Sequence, residues 1–182
     1  MKELYFIAVV LPLDIRKEVY NFKKIIAERY FAGHAFKCPA HITLHMPFKW
    51  NSMQEGELYR LLIDITTGMR SFELVLQNFG SFEPRVIYVN VVENNLLRML
   101  RDQVLREMRK RHVYNGGYRN EGFQPHITIA FRNLRKPNFL DAWDTFKYRK
   151  YERSFFVNEI TLLKYQSNNW NQTRNFPFMD SN

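Results

Sequence analysis

The triplet His-Ile-Thr occurs twice in this chain, at 41–43 and again at 126–128, although the whole sequence holds only five histidines. In an extended strand successive side chains point to opposite faces. His41 and Thr43 therefore share one face, roughly 6–7 Å apart, while Ile42 and Leu44 turn to the other. His126 and Thr128 stand in the same relation to Ile127 and Ile129. Each copy offers an imidazole and a hydroxyl on one side of a strand and anchors itself with aliphatic residues on the other. Two imidazoles and two hydroxyls suit phosphodiester cleavage without a metal. A neutral histidine takes the proton of the attacking oxygen, and a protonated one donates to the leaving oxygen. The hydroxyls hydrogen-bond the non-bridging oxygens, where transition-state charge collects. In a shared cleft two imidazolium ions repel, so one charged and one neutral ring is the favoured state near neutrality.

The flanks of the two copies also agree. "FKCPAH" and "FQPH" both set a phenylalanine and a proline ahead of the histidine. Proline has no N–H to give a ladder, so it belongs at a strand start or an edge, where a cleft can open.

Elements must exist to position these strands. "YFIAVVLP" at 5–12 reads as a buried strand, and Asp14 is placed to cap a helix with Ile15, Val19, Phe22, Ile25 and Ile26 on one face. "HITLHMPF" is the next strand. "SMQE" at 52–55 has the form of a capping box and opens a helix running to about Gly68. Two strands flank "EP" at 83–84 as a hairpin. A helix over about 95–112 carries the stripe Leu97, Leu100, Val104 and Met108. After the second triplet, Pro137 starts a short helix, "SFFVNEITLLKY" reads as one closing strand, and the polar tail has no assignment. The order strand–helix–strand–helix–strand–strand–helix–strand–helix–strand predicts an α+β fold in two halves, each carrying one triplet, with no linker between separate domains. Residues 1–182 are read as one bilobal domain.

Composition narrows the class of function. The chain has 182 residues, 46% of them hydrophobic, which predicts a globular protein with a sizeable core. Its one cysteine, Cys38, excludes an intrachain disulfide and a cysteine-based zinc site. The apolar run after Met1 is too short to span a bilayer and lacks the form of a signal peptide, so no membrane association and a cytoplasmic location are expected. A net charge of +9 favours a polyanionic partner such as RNA or a nucleotide. No obligate protein partner is implied.

"HITL" at 41–44 and "HITI" at 126–129, with this spacing, chain length and element order, resemble the two-histidine phosphoesterases, which include the 2′-5′ RNA ligase-like proteins and RNA 2′,3′-cyclic phosphodiesterases. The resemblance covers nearly the whole chain. It implies two pseudo-symmetric lobes, each a mostly antiparallel sheet with helices outside, facing each other across a cleft. It implies His41 and His126 as the acid–base pair, Thr43 and Thr128 as phosphate ligands, and hydrolysis of a 2′,3′-cyclic phosphate end without a cofactor. "PF" after the first triplet makes Phe48 a candidate substrate contact. Many members carry a cation where this chain has Phe131; Arg132 follows and, in a regular strand, shares parity with His126, which makes it a second candidate substrate contact.

Other readings compete. His34, His41 and His45 suggest a zinc site, but that would leave the second triplet without a role, so no metal is expected and His34 and His45 are read as rim residues. Cys38 is read as a small packing residue rather than a nucleophile. Arg98, Arg101, Arg106, Arg109, Lys110 and Arg111 form a basic helix face that either tracks RNA or is simply solvated. Tyr118 and Arg119 lie in a glycine-containing loop expected to flank the cleft. The functional alternatives are an RNA-binding module without catalysis, and a 2′-5′ ligase or esterase, whose ligation reverses the same transesterification.

Overall fold

The two triplets lie on the outer strands of two separate antiparallel sheets. The structure, a computed structural model, describes residues 1–114 and 122–179. Among them run β1 (Lys2–Val10), α1 (Leu13–Tyr30), β2 (His41–Asn51), α2 (Glu55–Thr66), β3 (Phe72–Phe82), β4 (Val86–Val91), α3 (Asn95–Arg109), β5 (His126–Ala130), α4 (Lys136–Asp144), β6 (Glu152–Val157), β7 (Glu159–Gln166) and β8 (Asn169–Pro177). One sheet has the order β2-β1-β7-β8 and the other β5-β4-β3-β6. The fold is α+β, and its halves correspond: strand, helix and motif strand, with the motif strand paired antiparallel to the strand before the helix.

A helix stripe and strand alternation explain most of the packing. α1 buries Ile15, Val19, Phe22, Ile26 and Tyr30 along one face, and α3 buries Leu97, Leu100, Val104 and Met108. Both sheets and these helices share one apolar core. The helices cross over: α1 packs against β5, the motif strand of the other half, and α3 packs against β2. Each motif strand is thus held by its own sheet and by the other half's helix. No helix of the described residues is long and apolar enough to cross a membrane.

Four local expectations need correction. Asp14 does not cap α1; the helix opens at Leu13 after Pro12, with Asp14 in its first turn. The capping box at Ser52 does not form. Asn51 instead accepts from the Met53 N–H over a single 3₁₀ turn, Ser52–Gln54, and α2 starts only at Glu55, whose carboxylate takes hydrogen bonds from Tyr59 and Lys164. The run 154–165 is not one strand: it breaks at Asn158, so that β6 joins the second sheet and β7 returns to the first. The polar tail is a strand, β8, paired with β7 along its length. Ser167 and Asn168 turn the hairpin with φ of 50° and 64°, the left-handed pair that a two-residue hairpin requires.

Candidate active site

The register places the triplets equivalently. Val10 and Ala8 of β1 oppose His41 and Thr43, and Asn90 and Tyr88 of β4 oppose His126 and Thr128. Ile42, Leu44, Ile127 and Ile129 are buried, while the two histidines and two threonines are only partly covered. β2 and β5 are both sheet edges and lie against each other, and Thr43 of one triplet and His126 of the other line the same small cavity.

Both imidazoles are anchored by the same bond. His41 Nδ1–H donates to the Pro39 carbonyl at 2.7 Å, and His126 Nδ1–H donates to the Gln124 carbonyl at 2.8 Å. A carbonyl only accepts, so each neutral ring carries its proton on Nδ1 and keeps Nε2 for chemistry. In both copies the acceptor is two residues upstream of the histidine. Loss of solvation pulls His41 down to about 4, helped by the positive charges of Lys23 and His126. His126 is also lowered, by burial.

The supports behind the rings differ. Behind His41 is Lys23, an α1 residue 5% exposed whose ammonium donates to the Ala35 and Cys38 carbonyls, both at 2.9 Å. Burial lowers Lys23 to about 8. The Cys38 Sγ lies 3.3 Å from His41 Nδ1, and burial pushes its thiol up to about 12, which leaves it protonated and unsuited to attack. Phe6 packs at 4.9 Å against the His41 ring and leans on Trp170. Behind His126 are Tyr88, at 5.0 Å, and the edge of Phe82, at 5.1 Å. The Tyr88 ring occupies the space above Gly80: a Cβ there would fall 2.5 Å from the ring. Gln124 Nε2 donates to the Tyr88 hydroxyl at 2.9 Å, so the residue that supplies the His126 anchor is itself tied to this ring.

Several expected site residues fall elsewhere. Phe48 is not a cleft residue: it opposes Tyr5, is buried in the core, and packs against Tyr5, His45 and Trp50. His45 is not on the rim. A bulge puts two residues of β2 opposite one of β1 between Thr43 and His45, which turns His45 away from the cleft to 1% exposure. Arg132 loses its parity with His126 because β5 ends at Ala130. Its backbone is left-handed at φ 58° and its guanidinium lies over the Phe131 ring. His34 is partly buried, its ring T-shaped to that of Phe131. Tyr118 and Arg119 lie outside the described residues. Most of the basic α3 face is laced to carboxylates: Arg98 to Glu93, and Arg106, Lys110 and Arg111 around Glu107.

Arg101 also pairs with a carboxylate, Asp102 at 3.6 Å, but its setting differs from that of its helix neighbours. Its side chain is only 12% exposed, its guanidinium stands 4.5 Å over the Phe123 ring, and it borders the same small cavity as Thr43 and His126. The available signal was its position: Arg101 lies four residues after Leu97 and three before Val104, on the border of the apolar stripe rather than opposite it. Among the described residues no group of three or more His, Cys, Asp or Glu is placed to hold a metal ion.

The family model of the 2′-5′ RNA ligase superfamily matches residues 11–169. The chain belongs to this superfamily. Superfamily membership thus rests on the span that contains both triplets, and the solved structures agree on the fold. A phosphoesterase crystal structure superposes with a TM-score of 0.72 at 19% identity, covering 98% of this chain and 99% of the other. Escherichia coli LigT in complex with 3′-AMP gives 0.72 at 18%, covering 98% and 99%. TT0787 of Thermus thermophilus gives 0.69 at 18%, covering 98% and 100%. No curated protein matches the chain.

Proposed function

We propose that the protein is a metal-independent phosphodiesterase that opens 2′,3′-cyclic phosphate ends of RNA or related cyclic nucleotides, with residues 1–182 acting as one bilobal unit. The observation that carries this reading is the matched anchoring of His41 and His126, each with Nδ1 bound to a carbonyl and Nε2 left for chemistry, in strands that border one cleft. One neutral ring removes the proton of the attacking water. The other, protonated, delivers its proton to the ribose oxygen as the P–O bond breaks. Thr43 and Thr128 donate hydrogen bonds to the non-bridging oxygens, and Arg101, on the same wall, offsets their charge. A pure binding module needs no such pair of proton-handling groups. Nucleotide chemistry is supported by the related LigT structures with 3′-AMP, NADP+ and ATP, and by one with phosphate.

The test is turnover of an RNA oligonucleotide ending in a 2′,3′-cyclic phosphate, in EDTA, by the wild type, His41→Ala and His126→Ala. Opening by the wild type alone is the expected result. Equal turnover by the variants, or loss of activity on chelation, would overturn the mechanism. The reverse reaction, sealing of a 2′-5′ bond, passes through the same groups, and in water hydrolysis dominates.

A further inference from the structure

A second cavity, of about 180 Å³, lies on the other side of the loop that leads into His41, bordered by Arg16, Tyr20, Lys23, Phe36, Cys38 and Pro39. No carboxylate borders it, and the Cys38 thiol is held in its neutral form, so two cations face the space with no anion to balance them. The Arg16 side chain makes no ion pair or hydrogen bond among the described residues, and its Nε is buried without a partner. A buried N–H with no acceptor is costly, and in native proteins such a group usually marks a bound partner. Lys23 spends two of its three N–H groups on the Ala35 and Cys38 carbonyls and keeps a third. Tyr20 and Phe36, with rings 4.9 Å apart, wall one side. Size decides the class of ligand. The volume is well above the ~10–15 Å³ that one water needs. It is below the roughly 300–1,000 Å³ of pockets that enclose a drug-sized molecule. Two unbalanced cations and a small volume select a compact oxyanion.

We propose that this cavity is a second phosphate-binding site, in which the Arg16 guanidinium and the Lys23 ammonium hold a phosphate group behind the first catalytic histidine. Phosphate reaches it as a free anion or as a backbone phosphate of an RNA chain; the recognition chemistry is the same. An anion paired with Lys23 also cancels part of the positive charge felt by His41, so occupancy of the cavity makes His41 easier to protonate. The proposal requires no turnover and stands apart from the assignment of the reaction.

The experiment follows backbone amide signals of the ¹⁵N-labelled protein during titration, in separate arms, with inorganic phosphate and with a short RNA ending in an ordinary 3′-hydroxyl. In the wild type the amides of Ala35 to Cys38 and of Tyr20 shift saturably in at least one arm, and the responding arm identifies the source. In Arg16→Gln that response weakens about tenfold or more, the loss expected for a hydrogen bond to a charged group, while the Thr128 amide in the cleft responds as before. Arg16 has no partner to lose, so this variant keeps the fold even if Lys23→Met, which strands two carbonyls, does not. The His41 ring titrates at higher pH with the ligand present in wild type, and by less in Arg16→Gln. Silence of the Ala35–Cys38 amides in both arms, or a response that Arg16→Gln leaves intact, would overturn the site.

Discussion

The two triplet-bearing halves hold their histidines by the same bond and support that bond by opposite means. In the first half the support is a charge: Lys23, buried in α1, clamps the loop whose next carbonyl fixes His41. In the second half it is a shape: Tyr88, laid into the space left by Gly80, packs on His126 while Gln124 ties the phenol to the anchor carbonyl's own residue. In the proposed reaction the chemistry fixes what meets the phosphate, which accounts for the recurrence of imidazole, hydroxyl and strand parity. What lies behind them is constrained only to keep them still, and there the halves diverge. The same divergence makes the proton balance unequal. His41 is lowered by loss of solvation and by two neighbouring charges, whereas His126 is lowered by burial alone.

If the recurring part is the catalytic part, His41→Ala and His126→Ala should each lower kcat/KM by about 10²–10⁴, and the double variant by little more than the worse single one, because the pair acts as a unit. Additive losses would mean that the halves work separately. Thr43→Val and Thr128→Val should each cost about 10²–10³ in kcat, the usual effect of deleting a donor to transition-state charge. A large effect from one and none from the other would show that the phosphate leans on a single half.

The charge-based support has a pH signature. Both histidines are lowered in the folded protein, so between pH 4 and 6.5 the unfolded chain binds more protons than the native one. Stability therefore rises with pH across that window and is lost as pH falls, and His41 contributes on the order of 3 kcal/mol for its shift from 6.5 to about 4. Urea titrations at pH 4.5 and 6.5, wild type against His41→Gln, measure it; the variant should show a clearly smaller rise. The kcat/KM profile should be bell-shaped with its optimum on the acid side of the ordinary imidazole range.

The shape-based support is tested by Gly80→Ala, whose Cβ would meet the Tyr88 ring at 2.5 Å. The ring must move off His126, with a loss of about 1–3 kcal/mol and a fall in kcat, while the solvent exposure of Cys38 in the first half stays as in wild type. The smallest effect belongs to Arg132→Ala. The side chain is exposed and lies on Phe131, so stability should change within about 0.5 kcal/mol and turnover should stay near wild type.

The sequence made the triplet-bearing strands legible because their signal is local: parity within a triplet, a proline before it, and an apolar helix stripe on either side. The α+β halves followed from the same periodicities. It failed where the answer depended on another part of the chain. His45 shared parity with His41 on paper, and only the bulge against β1 turns it inward. Arg132 kept its parity only if β5 continued, and β5 stops at Ala130. Phe48 was carried over by resemblance and proves to face Tyr5 in the core. The carbonyl anchors were beyond any residue-type argument, since every residue has a carbonyl and only the backbone path selects Pro39 and Gln124. β8 was hidden because an edge strand whose residues are mostly exposed has no apolar alternation to reveal it. The turn residues Ser167 and Asn168 carried the signal that was available.

The strand order also has a consequence for how the protein is made. The first sheet begins with residues 2–10 and is completed by residues 159–177, which join it on the far side of β1. On a translating ribosome β1 keeps one row of N–H and C=O groups open from the start of the chain until β7 arrives, a longer wait than that of β3 for β6. Such a bare edge is what another chain can pair with. The first-half histidine therefore waits on an unfinished sheet until β7 arrives, and the edge open to misassembly is the one across β1 from the strand that holds His41.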